Sequence, residues 1–211
     1  MKRMRIILLI SFFLLIGIIY IKLNNNADAV METSADDSVM QTTPDDGLRH
    51  IQILEDKIPV NNYYEVKENS TLIVQGKVTK KQESFYESYV DVDLEKEYES
   101  KGADKIDYCN IYTHYMIEVD KIFYGDCNDR ISYRAVSGQI EDVVIDEIIP
   151  VEEGYSYVFV LKQSKREAGV YENALGYNSI ARVEDDIIIE NSIVGQCFSA
   201  GMTMKELEEA L

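Results

Sequence analysis

The chain has 211 residues, with 38 acidic side chains against 21 basic ones, 46% apolar residues, three prolines, three cysteines and no tryptophan. That length suits one modest domain with appendages and excludes two full ones. The formal charge of −17 is concentrated beyond residue 23, and so negative a surface repels phosphate backbones, which excludes general nucleic-acid binding and disfavours docking on anionic lipid.

At the N-terminus Lys2, Arg3 and Arg5 precede an apolar run from Ile6 to Ile21, broken by Ser11 and Gly17. As a helix the run would reach roughly 24 Å, near the lower limit for crossing a hydrocarbon core of about 30 Å. Residues 1–23 are expected to form a signal anchor; a signal peptide cleaved after Ala29, at the small-x-small Ala27-Asp28-Ala29, is the alternative. Either way the basic end stays in the cytoplasm and the acidic remainder goes outward, so the chain is expected at the cell membrane as a single-pass protein, or secreted. Residues 24–47, rich in Asn, Asp, Ser and Thr, cannot bury enough apolar surface to offset their ordering entropy and read as a disordered tether. The folded domain is expected over 48–211.

Leu48, Ile51, Leu54 and Ile58 recur at three and four residues before Pro59, which predicts a short amphipathic helix. A second short helix is predicted after Asn62, which has capping-box spacing to Glu65. From Leu72 to Lys80 apolar residues alternate as in a strand, with Gly76 marking a bulge or sharp bend and Ile73 interrupting the polar face. The segment Phe85 to Asp107 is strongly charged and weakly patterned, and reads either as an exposed edge ribbon or as a loop. Ile111 to Ile122 is the longest predicted strand, with Ile111, Thr113, Tyr115, Ile117 and Val119 inward and Tyr112, His114, Met116, Glu118 and Asp120 outward. Further strands are predicted at 130–136, at 155–162, where both faces are apolar as in a covered central strand, and in a terminal hairpin over 181–190. Thr203 and Glu206 form a capping box that opens a final helix, with Met204, Leu207 and Leu211 on one stripe. The sum is a mainly β domain: a small barrel of five to six strands with short helices at its two ends.

The order of these signals, Ser70 to Val78, then Tyr112 to Val119 running into Ile122-Phe123-Tyr124-Gly125-Asp126, then Tyr157 to Leu161, resembles the OB-like barrel domains of uncharacterised membrane-anchored or secreted surface proteins of Gram-positive bacteria. The resemblance covers about residues 62 to 190. It implies a barrel fold and brings no catalytic or binding residue with it.

The chemistry offered by the sequence is sparse. Cys109, Cys127 and Cys197 lack C-x-x-C or zinc spacing and read as small core residues, with a Cys109 to Cys127 bridge as the alternative. His114 lies an odd number of residues from Cys109 on one strand, so the two face opposite ways and form no nucleophile pair. Asp91-Val92-Asp93-Leu94-Glu95 starts like a calcium loop but has Lys96 where glycine is required and Gly102 where the bidentate glutamate belongs. No metal or cofactor is therefore expected, and no catalytic residue is assigned. The candidate binding residues are tyrosines: Tyr86, Tyr89, Tyr98 and Tyr112 are expected outside the main core, where they could form an amphipathic contact surface. The function expected is that of a non-enzymatic, membrane-tethered binding module with a protein or cell-envelope partner. A metal- or thiol-dependent envelope enzyme and a glycan-binding barrel are the alternatives.

Overall fold

The structure, a computed structural model, describes residues 40–42, 47–52, 57–176 and 179–211. The expected membrane segment and cleavage site lie outside these residues; among those described, no helix is long and apolar enough to cross a membrane. In chain order the elements are β1 (Met40–Thr42), β2 (Arg49–Gln52), α1 (Tyr63–Asn69), β3 (Leu72–Lys81), β4 (Phe85–Ser88), α2 (Val92–Ser100), a 3-10 turn at Lys105–Asp107, β5 (Cys109–Tyr124), β6 (Arg130–Val136), β7 (Gly138–Ile140), β8 (Val143–Asp146), β9 (Ser156–Gln163), β10 (Val170–Asn173), β11 (Ile180–Glu184), β12 (Ile187–Asn191) and α3 (Met204–Ala210). The fold is mainly β.

A simple barrel of five to six strands is not what the chain builds. The strands form a four-stranded sheet ordered β1-β2-β8-β7 and an eight-stranded sheet ordered β10-β6-β5-β3-β9-β11-β12, with β4 added beside β5. The large sheet is not a closed barrel, since it runs out through β11 to β12. Within it, however, β10 pairs with both β6 and β9. The pairings β3–β5, β5–β6, β6–β10, β10–β9 and β9–β3 thus return to their start, with only β6–β10 parallel.

Two apolar cores explain why β9 is buried on both faces. Its Tyr157, Phe159 and Leu161 pack with Leu72, Val74, Val78, Tyr115, Ile117 and Tyr133, while Val158 and Val160 pack with Ile73, Val66, Ile188, Met204 and Leu207. Ile73 belongs to this second core, which is why it interrupts the polar face of β3. At about 1.5–3 kcal/mol for each large apolar side chain removed from water, both faces contribute heavily to stability. Gly76 sits at a register shift between β3 and β5, and a Cβ there would lie 2.6 Å from the Ile117 side chain and 2.7 Å from the Glu118 carbonyl oxygen. The bulge expected at Gly76 is present, and close backbone approach is its cause.

α1 begins as expected at Asn62, whose side chain accepts from the Glu65 N–H while the Glu65 carboxylate accepts from the Asn61 N–H. α3 carries the reciprocal Thr203–Glu206 capping box, with Met204 and Leu207 buried. Two expectations fail. Within the stretch read as a helix over 48–58, Arg49–Gln52 is a strand parallel to β8, and Ile51 is buried in a third core with Ile111, Val143 and Ile145. Partner strands supplied from elsewhere outweighed a periodicity carried by four residues. The charged insertion is neither ribbon nor loop alone: β4 pairs with β5, and Asp91 caps α2 by accepting from the N–H groups of Asp93 and Leu94. β1, inside the stretch expected as tether, pairs with β2.

Candidate functional site

Alternation along β5 turns Ile111, Thr113, Tyr115 and Ile117 inward and leaves Tyr112 and His114 on the other face. Cys109 and His114 therefore face opposite ways, as the odd spacing requires. Register then assembles a charged row across four strands. His114 on β5 lies opposite Arg134 on β6, Arg134 beside Glu172 on β10, and Glu172 opposite Lys162 on β9.

Arg134 is the centre of this face, its side chain only 3% exposed. Its Nη1 donates to Glu87 Oε2 at 2.7 Å and its Nη2 to Glu172 Oε2 at 3.4 Å, and the guanidinium carbon stands 4.5 Å from the centre of the Tyr112 ring. Its buried Nε–H has no hydrogen-bond partner. Glu87 also accepts from Arg166 Nη1 at 2.7 Å, on Oε1. One carboxylate from β4 is thus held between a guanidinium on β6 and another in the β9–β10 connection, and its hydrogen bond pushes the Arg166 pKa up. The same connection places Glu167 Oε2 3.4 Å from His114 Nε2. Phe85 stands edge-on to His114 and stacks on Tyr112. Beside Arg134 opens a cavity of about 190 Å³, lined by Tyr112, Val136, Lys162, Glu172 and Asn173.

A second polar cluster lies where β6 turns into β7. The Thr113 hydroxyl donates to the Ser137 carbonyl at 2.8 Å and bonds Ser84 Oγ at 2.8 Å, and Tyr115 and Ser137 hydroxyls are 3.2 Å apart. Glu147 lies beside them, its Oε2 accepting from the Val151 N–H at 3.0 Å, and the Ser137 and Tyr115 hydroxyls favour its charged form. The buried Glu147 Oε1 has no hydrogen-bond partner. Burial pushes the Glu147 carboxyl and the Tyr115 phenol up from their ordinary values.

The four tyrosines singled out in the sequence are dispersed. Tyr112 alone belongs to the Arg134 face. Tyr86, one residue along β4 from Phe85, turns the other way and packs against the core containing Ile111. Tyr98 stacks on Tyr108 at 5.5 Å, and the exposed Tyr89 donates its hydroxyl to the Asp107 carbonyl at 2.5 Å. Arg134, Glu87, Arg166, Glu172 and Lys162 escaped the sequence reading because strands and loops far apart in the chain supply them. A cation between the buried Tyr133 and Ala135 was the only local sign.

Cys109, Cys127 and Cys197 are free thiols, so the alternative bridge is absent. Burial raises all three pKa values, the opposite of what an activated thiolate needs. Among the described residues, no group of three or more His, Cys, Asp or Glu side chains could hold a metal ion. His50 pairs with Asp146 across β2 and β8 at 2.9 Å. The Arg134 face sets fixed charges of both signs beside aromatic rings and a small cavity. No family model matches the chain, and no curated protein matches it.

Proposed function

We propose that this chain is a membrane-tethered, extracytoplasmic binding module with an OB-like core, which engages a protein or cell-envelope component through the Arg134 face. The observation that carries the reading is convergence. The insertion between β3 and β5 and the connection between β9 and β10 meet over β5 and β6 through Glu87 and Arg166. In OB folds the ligand face is formed by the second and third strands of the barrel and the loops after the first and fourth. The circuit of five paired strands supports the same reading, with β5 and β6 as those two strands. The basic residues before the apolar run, Lys2, Arg3 and Arg5, support outward topology. The acidic exterior argues against nucleic acid as the ligand.

The test uses the full chain expressed in its own cells. A membrane-impermeant amine reagent applied to intact cells should label lysines beyond residue 23, and the labelled protein should sediment with membranes. Recovery of unlabelled chain from the cytosol would overturn the reading. A photo-cross-linker at Lys162 on the Arg134 face should then yield a defined adduct that one at the exposed Lys77 of β3 does not.

A further inference from the structure

The cavity beside Arg134 has an excess of donors. Among the described residues the Lys162 ammonium has no ion pair or hydrogen bond. Asn173 accepts from the Tyr133 hydroxyl at 3.0 Å through Oδ1, and its amide N–H groups have no acceptor among the described residues. Arg134 forms the floor of the site, its guanidinium held by Glu87 and Glu172. All three residues line the same cavity of about 190 Å³. The remaining polar group, Glu172, gives Oε2 to Arg134 and leaves Oε1 unused. Val136 and Tyr112 supply an apolar wall.

We infer that this cavity takes the free carboxyl end of a polypeptide; the inference rests on the reading of this face as a binding face and names its ligand. Two unused donors, one of them the charged Lys162 ammonium, call for an anionic acceptor, and a carboxylate offers two oxygens with about four lone-pair sites. The unused Glu172 oxygen suits a neighbouring donor, as the backbone N–H of a terminal residue would be. The apolar wall takes that residue's side chain, and the volume admits about one residue. The main chain of an internal segment brings no charge to match Lys162 and would need to continue past the cavity. A chain with formal charge −17 repels an acidic tail, so the tail that fits is neutral or basic and ends in a small or medium apolar residue.

The experiment uses the full-length protein in detergent micelles, with N-acetyl-Gly-Ala-Val as free acid, the same tripeptide as C-terminal amide, and glucuronic acid, each titrated by ligand-observed NMR. The free acid should bind with a Kd on the order of 1 mM, as suits so small a probe. The amide should bind at least about tenfold more weakly, the loss expected when a charge-assisted hydrogen bond is removed. Lys162→Met should weaken the acid by a similar factor and leave the amide unchanged, Lys162→Arg should restore much of the binding, and Lys77→Met should change nothing. Lys162 is exposed, so these variants keep the fold. Equal binding of acid and amide, indifference to Lys162→Met, or Lys162-dependent binding of glucuronic acid without binding of the tripeptide would each overturn the inference. So would absence of binding by the free acid. None of these outcomes touches the topology labelling, which judges the module reading separately.

Discussion

The Arg134 face and the Glu147 junction both take charge out of water, and they handle it in opposite ways. At Arg134 the guanidinium meets carboxylates from β4 and β10. At Glu147 the carboxylate meets hydroxyls and a backbone N–H, and one of its oxygens has no partner. At Arg134 counter-charges offset the cost of burial, whereas at Glu147 burial pushes the carboxyl toward its protonated form against the neutral donors that favour its charged one. The first region should therefore be sensitive to removal of a partner, and the second to pH.

The largest effect should come from Arg134→Met. Methionine removes the charge, leaves Glu172 without its cation and Glu87 with Arg166 alone, and breaking a buried pair from one side costs about 3–5 kcal/mol. Because Glu87 and Glu172 keep about a quarter of their side-chain exposure, solvent should hold the loss near the low end, about 3 kcal/mol in urea unfolding. Adding Glu87→Gln should return part of it. Strict additivity of the two changes would show that no coupling exists between them.

At the other region the most severe single change should be Gly138→Ala. Gly138 has φ +116°, and a Cβ there would collide with the side chains of Ser84 and Thr113, which carry the hydroxyl network. Strain at this backbone angle and the displaced hydroxyls should together cost about 2 kcal/mol. An unchanged Tm would mean that the network tolerates displacement.

These two regions also divide what the sequence discloses. The inward face of β5, the caps at Asn62 and Thr203, the bulge at Gly76 and the doubly buried β9 follow from local alternation, spacing and turn chemistry. Those forces act within one segment. The Arg134 cluster joins four segments that are 47 residues apart in one pair and 79 in another, and no local pattern encodes such a meeting. Outward aromatic residues on a long strand, Tyr112 among them, are visible in alternation, whereas the surroundings of Tyr86, outside the main core, are not. Tyr86 faces a third core, under β2, β7 and β8, and that core depends on strands too short to signal themselves: β8 has four residues and β7 three. β2 is concealed differently, since its buried Ile51 fits a helical spacing equally well.

A smaller effect, with a direction set by pH, is expected from Glu147→Gln. Burial raises the folded-state pKa of Glu147 above the unfolded value, so the folded protein holds this proton more tightly. The stabilisation is fully present below the unfolded carboxylate value near 4.3 and is lost as pH rises through the folded value. Glutamine mimics the protonated form while keeping an acceptor for the Val151 N–H. The variant should match the parent at pH 4 and have the higher Tm at pH 7.5. A Tm difference that stays constant with pH would remove the contrast between the two regions.

The smallest effect on global stability should be that of Arg166→Met. Arg166 is about half exposed and pairs with a partly exposed Glu87, and such pairs contribute about 0.2–1 kcal/mol, less as salt rises. Glu87 keeps Arg134 as its partner, so no charge is stranded. The connection itself stays anchored at its base by the Ser164 N–H to Val170 carbonyl bond and by Ser164 Oγ, which accepts from the Arg166 and Glu167 N–H groups. What the substitution removes is the tie between this connection and β4, where Arg166 also donates to the Ser88 carbonyl. Hydrogen exchange should rise at residues 165–169 and remain unchanged along β6 and β9, because local opening draws on the few contacts a loop makes while strand protection follows the global stability. Equal acceleration in β6 would mean that Arg166 supports the buried guanidinium as well as the loop, and the face would then open as one unit.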